Sequence, residues 1–173
     1  GFTPCFSYYG CRYIKVTGIT ADQAAEDLVE FSEQSSALKK IGGFFCSDEY
    51  ANKTFECTLR SDFSNFYYFP TDCPHREKAG WTGDAYLSAE QFCLLLDCEK
   101  SLRMWLSCIR DCQKESGAVP CVVPTGGWGY GWGSGPSWDG VLTVLPYMLY
   151  RYTGKKEILE GNAGAIWKYL GFL

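Results

Sequence analysis

Apolar residues recur at three- and four-residue steps along most of this chain, and that spacing limits its possible folds more than any other feature. From residue 21 to about 40, Ala24, Leu28, Phe31, Ser35 and Leu38 fall on one side of an expected helix that stops before Gly42 and Gly43. Ser47 is placed to cap a second helix over residues 48–61, with Tyr50, Ala51, Thr54, Phe55 and Leu59 on one face. Residues 85–96 are largely apolar at Tyr86, Ala89, Phe92, Cys93 and Leu96, which predicts a buried helix starting close to Asp84. Residues 98–115 repeat the pattern with Leu102, Trp105, Leu106, Ile109 and Cys112, leaving Lys100, Arg103, Arg110 and Lys114 for water. A last helical hairpin, 140–152 and 155–170, turns at Gly154. Only the first nineteen residues alternate differently: Tyr9, Cys11 and Tyr13 against Gly10, Arg12 and Ile14 read as one or two short strands.

Helix, helix, loop, helix, helix without convincing strands between is the rhythm of an α/α toroid, so the fold class is mainly α, preceded by a short β segment. With 46% hydrophobic and 17% aromatic residues, 173 positions supply a sizeable core. A net charge of −4 leaves no basic surface for phosphates and argues against a nucleic-acid partner. No stretch reaches the roughly twenty apolar residues of a membrane helix, and the N-terminus has no charged-then-apolar leader pattern. Ten cysteines contain no Cys-x-x-Cys pair, and His75 is the single imidazole, so neither a disulfide framework nor a metal site is expected. Cys93, Cys98, Cys108 and Cys112 read instead as small hydrophobes in a reducing cytoplasm.

Chemistry concentrates between Thr71 and Asp84. Asp72, Glu77 and Asp84 accept bonds from vicinal hydroxyls, Arg76 donates in a planar fork, and the indole of Trp81 matches the apolar face of a pyranose. Pro74, Gly80 and Gly83 shape the segment as a loop and make a helix before Gly83 unexpected. The plain alternatives are a solvated Glu77 paired with Arg76 or Lys78, Asp72 as a turn former before Pro74, and Asp84 as the cap of the helix from Ala85. A second long loop, 117–139, holds Trp128, Trp132 and Trp138 amid glycines and prolines.

The run TDCPHREKAGWTGDA over residues 71–85 resembles the signature segment of the bacterial α-L-rhamnosidases of glycoside hydrolase family seventy-eight. Residues 6–16 resemble the last strand before that family's catalytic domain, and Trp138-Asp139-Gly140 running into residues 145–154 resembles a later loop and helix of its barrel. The resemblance implies a partial six-hairpin α/α barrel, since by count five helices are present where the barrel needs twelve. It divides the chain into the end of a β domain (1–20), a connecting helix and linker (21–45) and the N-terminal part of the catalytic barrel (46–173). Glu77 matches the family's general acid, Asp72, Arg76 and Asp84 match residues that hold rhamnose hydroxyls, and Trp81 and Trp138 match positions against the sugar.

The implied activity is release of terminal α-L-rhamnose from rhamnose-containing glycosides by inversion, without cofactor or metal. The family's water-activating base lies beyond residue 173, so the isolated chain is expected to hydrolyse poorly or not at all. The rival readings are a non-catalytic rhamnose-binding module and a structural fragment that self-associates through exposed barrel faces. Asp139 is expected to orient groups near the site, His75 to stabilise the loop, and Cys73 to play no nucleophilic part. Trp128 and Trp132 are left equally open between pocket wall and loop packing.

Overall fold

The structure is a computed structural model that describes residues 3–131 and 135–173. Five long helices and one short one follow each other: α1 (Glu49–Asn65), α2 (Thr82–Leu95), α3 (Glu99–Asp111), α4 (Pro136–Asp139), α5 (Val141–Thr153) and α6 (Lys156–Leu170). Between α1 and α2 two-residue strands, β1 (Phe66–Tyr67) and β2 (Phe69–Pro70), pair antiparallel around Tyr68. This is the mainly helical, partial toroid expected from the periodicity.

Each helix has a local cause. Asp48, not Ser47, caps α1, its carboxylate accepting from the amides of Tyr50 and Ala51 at 2.8 and 3.0 Å. Helix α2 is apolar on several sides because it packs against both α4 and α5. Helix α3 is strongly amphipathic and places Leu102, Trp105, Leu106 and Ile109 fully inside. Arg110, expected to face water, instead reaches the side-chain oxygen of Asn162 on α6. The α5–α6 turn is made by Gly154, left-handed at φ 72°, whose amide bonds the carbonyl of Tyr150.

Two expectations for the N-terminal part need correcting. Residues 3–20 form no strand: among the described residues no backbone hydrogen bond joins residues 3–19 to another segment. Residues 21–40 form no helix beyond a single 3-10 turn, Ala21–Gln23. Of the apolar stripe that predicted it, Leu28 and Phe31 are exposed and Leu38 alone packs against the core; helical spacing with so little surface to bury against does not hold a helix. The segment is irregular instead, with a turn at Ala25–Leu28, and its end docks by backbone: the amide of Ile41 bonds Leu95 and that of Asp97 bonds Lys39, both at 2.8 Å.

The core is one cluster of side chains from α2, α3, α5 and α6, closed by Phe66, Val119 and Val123. Among the described residues no helix is long and apolar enough to cross a membrane.

Candidate functional site

The loop from Thr71 to Trp81 is held at three places. At its entrance the amide and hydroxyl of Thr71 both bond the carbonyl of Asn65, at 2.7 and 2.8 Å. Its neck is closed by Asp72 and Ala79: the Asp72 amide bonds the Ala79 carbonyl at 3.0 Å, and the Ala79 amide bonds Asp72 Oδ1 at 2.9 Å. Asp72 is thus the clasp of a loop, rather than a turn former before Pro74.

At its exit the backbone lies against the segment around Val123. The Val123 amide bonds the Gly80 carbonyl, and the Thr82 amide and hydroxyl both bond the Cys121 carbonyl. Gly80 is needed because a Cβ there would stand 2.1 Å from the Val123 carbonyl oxygen. Gly83 has a similar reason: the indole of Trp138 lies on its bare Cα, and an added Cβ would meet Nε1 at 2.7 Å.

Within this frame the polar groups converge. Glu77 has both carboxylate oxygens engaged: Oε2 accepts from Trp81 Nε1 at 2.9 Å, and Oε1 pairs with Arg76 Nη2 at 2.7 Å. The Arg76 side chain is 73% exposed and that of Glu77 only 24%. The solvated ion pair therefore exists on one oxygen alone, while the other is fixed by an indole. Cys73 lies between the two acids, its thiol donating to Asp72 Oδ2 at 3.0 Å and its sulfur accepting the Glu77 amide at 3.1 Å.

Asp84 projects from the first turn of α2, two residues inside the helix, which begins at Thr82 with Trp81 as its cap residue. The plain alternative of Asp84 as the cap residue does not hold, and the helix starts one residue before Gly83, where none was expected. Partial desolvation raises its carboxyl above the ordinary range, and the charges of Asp72 and Glu77 push the same way. Asp84 is therefore within electrostatic reach of both Asp72 and Glu77.

Asp84 also stands where two clefts meet. One, of about 570 Å³, lies between α1 and α2 and includes Asp72, Thr71 and Ser88. The other, of about 470 Å³, is bounded by Trp138, Tyr86 and Pro136. Trp128 packs beside Trp81 with ring centres 5.2 Å apart, which places it on the wall of the site, whereas Trp132 lies outside the described residues.

The remaining residues take plainer places. Asp139 is buried; Oδ2 accepts the Gly135 amide at 3.1 Å, and Oδ1 has no hydrogen-bond partner among the described residues. Burial raises its carboxyl, and the buried Tyr169 hydroxyl, also unpartnered, is pushed up to about 12 by burial and then by Asp139. Asp139 thus anchors α4, which carries Trp138, from below. His75 is exposed on the loop. Among the described residues no group of three His, Cys, Asp or Glu side chains is arranged to hold a metal ion.

Sequence reading missed two contributors. Tyr8 brings its hydroxyl to the side chain of Thr71, near Asp72 and Cys73, from 63 positions before Thr71, and no local pattern marks such a contact. Cys73 was considered only as a nucleophile, although its place beside Asp72 and four residues before Glu77 was a signal for bridging them.

Residues 39–173 match the family described as bacterial alpha-L-rhamnosidase 6 hairpin glycosidase domain. An alpha-L-rhamnosidase of Formosa agariphila is 32% identical over 173 residues, covering 96% of this chain and 18% of that protein. The solved alpha-L-rhamnosidase from Dictyoglumus thermophilum superposes with a TM-score of 0.75 at 35% identity, over 80% of this chain and 16% of that one. The Streptomyces avermitilis alpha-L-rhamnosidase complexed with L-rhamnose superposes with a TM-score of 0.72 at 25% identity, over 80% of this chain and 13% of that one. The chain spans under a fifth of the length of the curated relatives it matches.

Proposed function

The chain belongs to the bacterial α-L-rhamnosidase six-hairpin glycosidase family, and from that premise we propose that it carries the acid half of an inverting site for terminal α-L-rhamnose. The observation that carries this reading is the grouping of the acids about Asp84: Asp72 shares one cleft with it, Trp138 shares the other, and Glu77, bonded to Trp81, is within its electrostatic reach.

Glu77 is the general acid. To act, one oxygen must hold a proton and face the leaving oxygen of the glycoside. Trp81 keeps Oε2 in place, so the exchange falls on Oε1, where the exposed guanidinium of Arg76 is the readily displaced partner. Departing from Glu77, Arg76 becomes free to donate to a sugar hydroxyl. Asp72 and Asp84 accept hydroxyls of the same ring, each charged hydrogen bond contributing about 1.5–3 kcal/mol. Trp81 and Trp138 receive the apolar face and C6 methyl of the deoxy sugar.

Inversion needs a base behind the sugar, about 6.5–9.5 Å from the acid, to activate water. In this reading the base comes from the part of the catalytic domain beyond residue 173, so the isolated chain binds rhamnose and turns it over poorly. Residues 46–173 are then the first portion of that domain, with residues 1–20 the end of a preceding one and 21–45 the connection. Burial of Cys93 and Cys98 in the core fits thiols acting as small hydrophobes, and with it a reducing, cytoplasmic setting. Exposed apolar side chains on the helices, Leu87, Leu94 and Trp167 among them, support self-association of the isolated chain.

Calorimetric titration of L-rhamnose tests the site, and aryl α-L-rhamnoside hydrolysis by a polypeptide carrying this segment within a complete barrel tests the acid. Binding by the chain and loss of turnover in Glu77→Gln are expected. Equal rates for wild type and Glu77→Gln would remove Glu77 from its role.

A further inference from the structure

Lys78 follows the proposed acid directly, yet among the described residues it forms no ion pair with Glu77 or with any other carboxylate. Its half-buried side chain turns to a remote segment instead. The ammonium donates to the carbonyl of Tyr8 at 2.7 Å and sits over the rings of Tyr8 and Tyr9 at 5.0 and 5.1 Å.

The backbone of Lys78 is unusual as well. At φ 55° it is left-handed, alone in this among the residues from Thr71 to Trp81, and a residue with a Cβ adopts that region at a cost. The conformation reverses the chain after Glu77, and the reversal brings the Ala79 amide to Asp72 Oδ1 at 2.9 Å and the Ala79 carbonyl to the Asp72 amide at 3.0 Å. Backbone geometry alone would favour glycine at this position, so the reason for a lysine lies in its side chain.

The remote segment is held in turn by this loop. Among the described residues no backbone hydrogen bond joins residues 3–19 to another part of the chain, so other contacts must place it. The Tyr8 hydroxyl meets the side chain of Thr71 at the loop entrance. The backbone of Gly10 runs so near the bend that a Cβ there would stand 3.2 Å from the Pro74 carbonyl oxygen. Entrance, bend and return of the loop therefore each touch residues 8–10.

We propose that Lys78 is a positioning residue for the general acid, and that it acts by tying the peptide after Glu77 to Tyr8 and Tyr9. The segment ahead of the helices is then a working part of the site. This deepens the proposed function and rests on it. Without the ammonium tie, nothing but the clasp to Asp72 holds Lys78 in its strained conformation. Relaxation of that residue swings the Glu77 side of the loop, and a displacement of about 1 Å at an acid is enough to slow proton transfer roughly 100-fold.

The test measures kcat and KM for 4-nitrophenyl α-L-rhamnoside with this segment in a complete barrel, in wild type, Glu77→Gln, Lys78→Met, Lys78→Arg, Tyr8→Ala and the Lys78→Met, Tyr8→Ala double variant. Lys78→Met should lower kcat roughly 10- to 100-fold and leave KM within about 3-fold. Lys78→Arg should keep most of the rate, since a guanidinium also donates to the carbonyl and lies on the rings. The double variant should be little slower than the slower single one, because both remove the same tie. Circular dichroism checks folding, and if Lys78→Met does not fold, Tyr8→Ala decides, an unchanged kcat counting against the tie. With Glu77→Gln inactive, a wild-type kcat in Lys78→Met overturns the positioning role and leaves the acid standing. A raised KM at unchanged kcat makes Lys78 a substrate contact and overturns it too, as do fully additive losses in the double variant. Wild-type turnover by Glu77→Gln overturns both readings.

Discussion

The indole N–H of Trp81 and the carboxylate of Glu77 form a 2.9 Å hydrogen bond four residues apart, across the exit of the signature loop. It links the residue just before α2 to the proposed acid, so the start of the helix determines where one oxygen of Glu77 points.

Trp81→Phe keeps a ring against Trp128 and removes the donor. Rhamnose affinity is expected to fall about 3- to 10-fold, about 1 kcal/mol, because the lost bond positions Glu77 and does not itself touch the sugar. Calorimetry reads the change, and unchanged affinity would show that the bond does not position Glu77 for the sugar.

Gly80→Ala should be costly although the backbone there is not left-handed. The new methyl would sit 2.1 Å from the Val123 carbonyl oxygen, so the loop exit or the Val123 segment must move. A loss of about 1–3 kcal/mol is expected. Thermal unfolding measures it, and a melting temperature equal to wild type would contradict the close approach.

Trp105→Phe probes the same carbonyl from the other side. Trp105 is fully buried, and its Nε1 donates to Val123 at 2.8 Å. The phenyl ring leaves that carbonyl without its donor and a void beside it, a loss of about 2–4 kcal/mol. Hydrogen exchange at the Val123 amide, which bonds Gly80, should accelerate in step with the loss. Unaltered exchange would separate the core from the loop.

Asp139→Asn gives a pH signature. Burial raises the Asp139 carboxyl above its unfolded value. Such an acid contributes its full stability below the unfolded pKa, near 4, and loses it as pH rises through the folded pKa. Asparagine stays neutral throughout and keeps an oxygen for the Gly135 amide. The stability difference between variant and wild type should therefore grow in the variant's favour from pH 4 to pH 7. Urea unfolding across that range checks it, and a difference independent of pH would refute it.

The helices from Glu49 onward were legible because their apolar spacing matches what they bury: Leu102, Trp105, Leu106 and Ile109 are all inside. The same spacing misled at Leu28 and Phe31, where the chain has the pattern and no partner surface. Boundaries shifted for local reasons. Asp48 offers a carboxylate where Ser47 offers a hydroxyl, and the first turn of α2 starts at Thr82, which is anchored to Cys121. In the site, neighbours along the chain were readable from their chemistry, as with Asp72, Glu77, Trp81 and Asp84. Tyr8 and Val123 were not, because contacts across 63 and 43 positions, with Thr71 and Gly80, depend on how the loop folds back.

The bare Cα of Gly83 under the indole of Trp138 makes two distant positions a mould and its cast. Any methyl at the first displaces the ring at the second, and a smaller ring leaves a hollow beside Asp84. Changes at 83 and 138 should therefore be tolerated in pairs and penalised singly, so double substitutions are the informative way to reshape this side of the candidate site.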